Sequence, residues 1–390
     1  MAIVTLHVDK MVYGGCGLAR TDTGAVLVRD AIAGETVMAE SVGRQGGMPV
    51  FQAREIIQAS DARRIPFCLY AATCGGCDWQ HISYDAQVQF KLSIVHDCLR
   101  RIGKFTELPE FELFHANEKA YRWRVQLALN KAQNRLGFFA RHSNEIISID
   151  SCPLLIEPLN RFLSNKNQII KQISGRIDQI KAIADVAENC ASDPSIKPFS
   201  SNEIDLTVGR HRFAVSGKSF FQANALLCES LANWAQTSIE GDVGVDLYGG
   251  VGLFAVTLGH RFKQGVVVES DTDQARLAAR NLTANTISSW TTINTTAETF
   301  LQQHREHAID CLIVDPPRTG LSPIVTTAIL QKPPARLLYV SCNPSTLARD
   351  LRLLTNDKTY TVKRAALFDM YPQTYHVECA VLLEKSIEKI

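Results

Sequence analysis

Residues 312–318 read Leu-Ile-Val-Asp-Pro-Pro-Arg, and residues 338–344 read Leu-Tyr-Val-Ser-Cys-Asn-Pro. Each stretch is an apolar run that stops abruptly at polar residues and proline, which is typical of a buried strand in a parallel sheet. Open α/β sheets bind their ligands beyond the carboxyl ends of such strands. The two stretches therefore place an acid, Asp315, and a cysteine, Cys342, at the ligand-binding edge of a predicted sheet.

The C-terminal part of the chain alternates predicted strands and helices in the manner of a doubly wound α/β sheet. The predicted strands cover residues 243–247, 265–269, 291–294, 311–314, 337–340, 365–369 and 377–383. A glycine-rich turn at 249–252 follows the first of them, and Glu269 ends the second. The turn lets a ligand approach the backbone, and a carboxylate about twenty residues later suits the hydroxyls of a ribose. A nicotinamide dinucleotide would satisfy the same pattern.

Cys342 has two interpretations. A thiolate that faces the cleft would be a nucleophile towards electrophilic carbon. A free cysteine is more often a small buried apolar residue, so Cys342 taken alone favours this second interpretation.

A cysteine triplet, Cys68, Cys74 and Cys77, predicts a metal site. Its spacing is C-x5-C-G-G-C, and Gly75 and Gly76 allow the backbone to fold so that several thiolates converge. The spacing does not separate zinc from an iron–sulfur cluster, and ordinary buried thiols are the third interpretation. Six other cysteines have no such neighbours and are expected only to pack in the protein interior: Cys16, Cys98, Cys190, Cys228, Cys311 and Cys379.

Length and composition suit an ordinary globular protein of two or three domains, with 390 residues, 46% hydrophobic and 21% charged. The formal net charge of +1 gives no global field for nucleic acid, so RNA binding would need a local basic patch. No apolar run is long enough to span a bilayer, and the N-terminus lacks a secretory pattern. We expect a soluble cytoplasmic protein with no membrane partner and no obligate protein partner.

Three domains are predicted. Residues 1–60 contain short β-rich runs separated by turn residues, which indicates a small β-barrel. Residues 61–215 combine the cysteine triplet with a helix at 84–101, strands near 122–130 and 135–139, and a mostly helical stretch at 154–183. The polar stretch 188–201 is predicted to be a connecting loop. Residues 216–390 form the doubly wound domain.

Five segments in the C-terminal half carry a family resemblance. They are residues 219–224 (Ser-Phe-Phe-Gln-Ala-Asn), 245–252 (Val-Asp-Leu-Tyr-Gly-Gly-Val-Gly), 314–321 (Val-Asp-Pro-Pro-Arg-Thr-Gly-Leu), 341–344 (Ser-Cys-Asn-Pro) and 369–378 (Asp-Met-Tyr-Pro-Gln-Thr-Tyr-His-Val-Glu). In this order they resemble the class I S-adenosylmethionine-dependent RNA uracil-5-methyltransferases, which make 5-methyluridine. The resemblance continues into the N-terminal half and covers nearly the whole chain.

The resemblance implies a fold and a set of functional residues. It implies a Rossmann-like methyltransferase domain whose last strand is antiparallel, preceded by an OB-like TRAM barrel and a central α+β iron–sulfur domain. It assigns Cys342 as the nucleophile and Glu378 as the base, although Glu378 alone would be taken for a surface acid. The cofactor contacts that it implies are Gln222, Tyr248, Glu269 and Asp315. The cluster ligands that it implies are Cys68, Cys74, Cys77 and Cys152. The resemblance thus favours a 4Fe-4S cluster over zinc.

Two positions depart from the family pattern. Gly249 stands where many members have cysteine, and Leu253 stands where many have asparagine. Leu253 removes a polar contact to the cofactor, whereas neither residue takes part in the predicted chemistry.

The predicted substrate is RNA, with the target base flipped out of its stack into the pocket. The barrel and cluster together resemble the 23S rRNA enzymes, and a tRNA enzyme is the alternative. A noncatalytic RNA-binding iron–sulfur protein is the alternative of a different class. An N6-adenine methyltransferase is disfavoured because Arg318 stands where those enzymes carry a stacking aromatic residue.

Overall fold

A computed structural model describes residues 3–304 and 308–386. The chain divides into two compact units. Unit 1 comprises the described residues up to His96, together with Phe138–Ile147 and Tyr371–His376. Unit 2 comprises Asp97–Gly137, Ser148–Met370 and the described residues from Val377 onwards. The three-domain division predicted from the sequence stays a proposal.

Unit 1 contains a closed five-stranded barrel with the strand order β1-β2-β3-β5-β4. Its strands are β1 (Ile3–Met11), β2 (Gly17–Thr21), β3 (Gly24–Arg29), β4 (Thr36–Gln45) and β5 (Met48–Gln58). Alternate apolar residues point inwards, among them Leu6, Val8, Val26, Val28 and Val37, each at most 4% exposed. The period-2 pattern thus gives one buried face, and the pairing of β1 with β4 closes the barrel. The predicted small barrel is confirmed.

The helix predicted at 84–101 is observed with the same bounds as α1 (Tyr84–Arg101). Later in the chain the prediction was only partly right. The stretch predicted as mostly helical contains α2 (Glu157–Ser164) and α3 (Lys166–Gln172), but it continues into β10 (Gln179–Ala184). The predicted loop at 188–201 contains β11 (Cys190–Asp193), which pairs antiparallel with β10.

The error has a physical cause. The strands β7 (Arg124–Asn130), β8 (Arg135–Phe139) and β9 (Ile146–Ser148) belong to the same sheet, whose order is β11-β10-β7-β8-β9. A short polar segment such as β11 is stabilised by its pairing with a neighbour rather than by its own pattern. That pairing is not visible in a local window of sequence. The strand β6 (Phe111–Phe114) was missed for the same reason.

Unit 2 is built around an eight-stranded sheet in the order β16-β15-β14-β17-β18-β20-β19-β6. Its C-terminal strands are β14 (Gly241–Leu247), β15 (Phe262–Glu269), β16 (Trp290–Asn294), β17 (Cys311–Val314), β18 (Arg336–Ser341), β19 (Tyr360–Phe368) and β20 (Glu378–Lys385). The last strand, β20, is antiparallel to both of its neighbours. The doubly wound sheet with an antiparallel last strand is therefore confirmed, and β6 adds a parallel strand at its edge.

Helices connect these strands. They are α4 (Ala225–Gln236), α5 (Leu253–Leu258), α6 (Thr272–Ala284), α7 (Ala297–Gln303), α8 (Pro323–Gln331) and α9 (Pro344–Thr355), and the hairpin of β12 (Glu203–Val208) and β13 (His211–Ser216) precedes them. The central strands β17 and β18 are buried almost throughout, as expected for a sheet covered on both faces. In the part of the chain that the structure describes, no helix combines the length and hydropathy required to cross a membrane.

Candidate active site

Cys342 lies in a short turn between β18 and α9. Ser341 is the last residue of β18, and Asn343 is the N-cap of α9, with its side chain accepting a hydrogen bond from the Ser345 amide at 3.0 Å. The Asn343 amide also donates to the Ser341 hydroxyl at 3.2 Å. Because Pro344 follows at the first helical position, the turn is rigid on both sides. The half-buried Cys342 side chain is thus held at the carboxyl edge of the sheet.

Glu378 is placed beside Cys342 by the register of the sheet. Ser341 pairs with Cys379 across the antiparallel ladder of β18 and β20. The next residue on one strand is Cys342, and the preceding residue on the other is Glu378, which is 3% exposed. The structure therefore brings the two predicted catalytic residues to one end of the same ladder, although they are separated by 36 positions in the sequence.

The electrostatics of this pair are dominated by burial. Burial, together with the Glu378 and Asp315 carboxyl groups, raises the pKa of the Cys342 thiol to about 12. Burial also raises the pKa of Glu378 well above its ordinary value, with Asp315 acting in the same direction. In this state the thiol is protonated at neutral pH, because two acids and a low-polarity environment oppose a third negative charge.

Arg318 is the cation that opposes this trend. Its guanidinium donates a hydrogen bond to Cys342, and its charge lowers the pKa values of both Cys342 and Glu378. Its position is fixed through its backbone, because the Arg318 carbonyl accepts a hydrogen bond from the Asn343 side chain at 2.9 Å. Arg318 thus favours the thiolate and ties the Asp-Pro-Pro-Arg loop to the cysteine turn.

The predicted cofactor residues lie at the ends of β14, β15 and β17 and in the segment before α4. Gln222 is 3% exposed, and its amide nitrogen donates to Asp315 at 3.2 Å. Burial raises the pKa of Asp315 to about 7, and the Gln222 hydrogen bond lowers it. Tyr248 directly follows β14 with a φ of 60°, in the left-handed region that is uncommon for a residue other than glycine. The structure thus brings Gln222 and Asp315 into contact.

Glu269 holds the glycine turn. One of its carboxylate oxygens accepts a hydrogen bond from the Gly250 amide at 2.9 Å, and the other accepts one from the Asp271 amide at 2.7 Å. The carboxylate is therefore fixed between the turn after β14 and the start of α6. This is the position at which a ribose would be bound in a doubly wound fold.

Asp246 is a functional candidate that the sequence prediction did not assign. It is fully buried at the end of β14, and burial, with Asp315 and Glu269 acting in the same direction, raises its pKa to about 8. Within the described residues, its Oδ1 atom and the Oε1 atom of Gln222 are buried and have no hydrogen-bond partner. The available signal is the acid Asp246 within the apolar run at 243–247. Unpartnered acceptors among carboxylates fit a ligand that carries positive charge, as the sulfonium and amino groups of S-adenosylmethionine do.

The presence of glycine at position 249 has a steric explanation. A Cβ atom at this position would lie 2.5 Å from the Cγ1 atom of Val267 and 3.2 Å from the Asp246 carboxylate. Val267 is fully buried in β15, so its side chain has no room to move away. In this chain glycine at 249 is thus matched to valine at 267, whereas a cysteine at 249 would need a smaller neighbour.

We expect Gly249→Ala to destabilise the protein by about 1–3 kcal/mol, the usual cost of overpacking. Val267→Ala removes the obstructing methyl groups, so the double variant should lose less stability than the sum of the two single variants. Denaturant unfolding of the three variants measures the coupling. Strictly additive losses would show that the close approach does not limit residue 249.

The cysteine triplet has suitable chemistry but incomplete geometry. The Gly76 amide donates to the Cys74 sulfur and the Gln80 side chain donates to the Cys77 sulfur, each at 3.4 Å, while the Gln80 oxygen accepts from the Cys68 amide at 3.1 Å. Such N–H···S contacts occur around cluster thiolates. However, across residues 3–304 and 308–386, no three Cys, His, Asp or Glu side chains form a set that could hold a metal ion.

Cys152, the fourth predicted ligand, belongs to unit 2, whereas the triplet belongs to unit 1. Its backbone amide donates to the Asn160 side chain at 2.8 Å, and Asn160 donates back to the Cys152 carbonyl at 3.1 Å. The segment around Cys152 is thus fixed by its own unit. The four cysteines therefore stay a predicted ligand set, and no step of the chemistry below depends on a metal centre.

Together, the doubly wound sheet, the antiparallel last strand and the acids at its carboxyl edge define a class I methyltransferase domain. Comparison with known proteins specifies the family. The family model described as tRNA (Uracil-5-)-methyltransferase matches residues 199–386. An uncharacterized RNA methyltransferase of Aquifex aeolicus is 32% identical, covering 97% of this chain and 98% of the relative, and one of Synechocystis is 28% identical over 98% and 96%. The chain therefore belongs to the RNA methyltransferases, and its residues 199–386 are similar to the uracil-5-methyltransferases.

A solved structure supports the fold. The tRNA (uracil-54, C5)-methyltransferase of Pyrococcus abyssi, in complex with S-adenosyl-L-homocysteine, aligns with a TM-score of 0.73 and 24% identity. The alignment covers 97% of this chain and all of that one. The likeness therefore extends over both units rather than over the methyltransferase domain alone.

Proposed function

We propose that the protein transfers the methyl group of S-adenosylmethionine to C5 of a uridine in RNA, through a covalent adduct between Cys342 and C6 of the base. The observation that carries this proposal is the position of Cys342 and Glu378 at the end of one β-ladder, with Arg318 hydrogen-bonded to the thiol. A noncatalytic RNA-binding protein would have no need for a nucleophile, an acid and a cation at this point.

Uracil C5 is a poor nucleophile, so the reaction needs covalent activation. The Cys342 sulfur forms a bond to C6, the electrons of the C5–C6 double bond move towards O4, and C5 becomes enolate-like. The thiol proton passes to solvent before this bond forms. Arg318 favours the thiolate and is positioned to offset the negative charge that develops on the base.

When bound, S-adenosylmethionine supplies an electrophilic methyl group on a positively charged sulfur. Gln222, Tyr248, Glu269 and Asp315 are the residues we assign to hold it. The buried Asp246 carboxyl, whose pKa is raised to about 8, ends the same strand edge as a further polar group. Because each of these acids is partly or fully buried, a cation at this edge would be stabilised in an environment of low polarity. Binding of a cation also lowers the cost of ionising Cys342.

After methyl transfer, C5 carries both a methyl group and the original proton. A base must remove that proton so that the electrons re-form the C5–C6 double bond and expel the Cys342 thiolate. We assign this role to Glu378. Its raised pKa makes it a stronger base than an exposed glutamate, and it lies directly beside the nucleophile.

RNA recognition is assigned to the barrel, which we propose to be a TRAM-like module, and to a stacking surface in unit 2. The Phe220 side chain is 49% exposed, and the Arg124 guanidinium lies over its ring at 5.8 Å from the centroid. Exposed aromatic rings with a stacked guanidinium bind unstacked bases well. On the barrel, Arg20 is ion-paired with Asp9, and Arg54 is ion-paired with Glu40. Each acid partly neutralises the positive charge that its arginine could present to RNA.

We propose 23S rRNA as the substrate, because a barrel accompanied by a cysteine triplet resembles the ribosomal RNA enzymes. The description of the matching family model favours tRNA instead. The two substrates share the chemistry of the site, so only the source of the RNA separates them. We also propose that the four cysteines bind a 4Fe-4S cluster, with zinc as the alternative. Iron, sulfide and zinc analysis of anaerobically purified protein decides between the two.

The test of the proposed function uses RNA that carries tritium at C5 of uridine. Transcripts of 23S rRNA and of tRNA are incubated with the protein and S-adenosylmethionine, and the tritium released into water is measured. Methylation at C5 must release that atom, so the wild type is expected to release it from one transcript only. Methyl incorporation without tritium release would assign the methyl group to another atom and refute the proposal.

A further inference from the structure

The six residues that precede Val377 are held in unit 1, although Glu378 begins β20 in unit 2. We name Tyr371–His376 the anchor segment. Its centre is Gln373, which is fully buried and has a φ of 71°. A non-glycine residue in the left-handed region is strained, and such strain persists only where the surroundings fix it.

The backbone of Gln373 is fixed by three hydrogen bonds. Its carbonyl accepts from the amides of Asp78 and Trp79, each at 2.9 Å. Its own amide donates to the side-chain oxygen of Gln87 at 2.9 Å. Asp78 and Trp79 directly follow Cys77, so the end of the cysteine segment is bonded to the anchor segment.

The side chain of Gln373 is fixed as well. Its oxygen accepts hydrogen bonds from the Arg64 guanidinium at 3.0 Å and from the Gln87 side-chain nitrogen at 3.1 Å. Gln87 therefore bonds both the backbone and the side chain of Gln373. Hydrogen bonds therefore hold both the backbone and the side chain of Gln373 in one strained conformation.

The residues on either side of Gln373 in the anchor segment are held by further contacts. The Lys91 ammonium donates to the Tyr371 carbonyl at 2.9 Å, and the Tyr375 ring meets the Tyr13 ring edge to face at 5.3 Å between centroids. The Thr374 hydroxyl donates to the Tyr371 carbonyl at 2.9 Å and accepts from the His376 amide at 3.2 Å. The segment thus has little freedom up to His376, two residues before Glu378.

We infer that Gln373 is a positioning residue for Glu378, acting through the covalent chain between them. This rests on the proposed role of Glu378 as the base that removes the C5 proton. A shift of the anchor segment moves the start of β20, and a misplacement of about 1 Å costs roughly 10²-fold in rate. Formation of the Cys342 adduct does not require Glu378 to remove a proton, so the effect is confined to the last step.

The test compares Gln373→Leu with wild type on 23S rRNA and tRNA transcripts. On the transcript that the wild type methylates, Gln373→Leu should release product roughly 10²-fold more slowly and accumulate an SDS-stable methylated protein–RNA complex. On the same transcript with 5-fluorouridine, whose fluorine blocks the last step, adduct formation should stay close to the wild-type rate. Gln373→Glu keeps an oxygen acceptor for Arg64 and should restore release.

Controls separate the possible failures. Gln89→Ala changes an exposed glutamine two positions from Gln87 and should behave as wild type. If Gln373→Leu does not fold, as judged by thermal unfolding, Gln87→Leu is used instead, because it removes the hydrogen bonds that Gln87 makes with the backbone amide and the side-chain oxygen of Gln373. Equal losses in adduct formation and release, or no loss in either, would overturn the positioning role. If the wild type formed no adduct with 5-fluorouridine RNA, the proposed function itself would fail, and this inference with it.

Discussion

Cys342→Ala is expected to abolish methyl transfer, with a loss on the order of 10⁶-fold, which is typical of removing a covalent nucleophile. Without the sulfur, C5 of uracil keeps its low reactivity, however well the cofactor and RNA are bound. Cys342→Ser should be almost as inactive, because an alcohol ionises much less readily than a thiol. Incorporation of radiolabelled methyl groups into RNA measures both losses.

The matched control for this prediction is Cys379→Ala. Cys379 is the neighbouring thiol on β20 and is fully buried, with its pKa raised by burial, so it is not available as a nucleophile. Only Cys342 variants should lose the covalent complex that wild type forms with 5-fluorouridine RNA. Undiminished turnover by Cys342→Ala would refute the assignment of the nucleophile.

Glu378→Gln is expected to stall the reaction after methyl transfer, with product release slowed by about 10²–10⁴-fold. Glutamine has nearly the same shape but cannot accept the C5 proton. The methylated adduct should therefore persist on ordinary uridine RNA and appear as an SDS-stable complex that carries the labelled methyl group. An inactive but folded variant without any such complex would count against a base at this position.

The pH dependence supplies an independent check. Burial and the nearby Asp315 raise the pKa of Glu378, so its carboxylate form becomes populated only as pH rises through that raised value. The rate of adduct breakdown in the wild type should therefore increase with pH. In Glu378→Gln, which has no titrating group at this position, that increase should disappear while adduct formation keeps its own pH profile.

The sequence alone predicted the strands of the doubly wound sheet well, because the central ones are apolar runs that stop abruptly at polar residues, as β17 and β18 do. The bounds of β17 agree with the prediction to the residue. The helix α1 and the barrel were also recognisable from local periodicity. Segments whose stability depends on pairing were missed, as β6 and β11 show, because a distant strand supplies their hydrogen bonds.

The same distinction between local sequence and tertiary structure applies to the candidate active site. The family resemblance, carried by the order of the motifs, selected Cys342, Glu378, Gln222 and Asp315 as candidates. What the sequence could not supply was their mutual geometry. The ladder that aligns Ser341 with Cys379 sets the proposed nucleophile, Cys342, beside the proposed base, Glu378, and the burial of both raises their pKa values.

Gln373 illustrates the difference. In the sequence it is one polar residue in a loop, with no sign of being buried or strained. Its role emerges only when chain segments 64, 78–79 and 87 surround it, because hydrogen bonds between residues some 300 positions apart exist only in the folded protein. The sequence determined which chemistry this protein carries, and the tertiary structure decided which groups can act together, since distance and burial are properties of the packed chain.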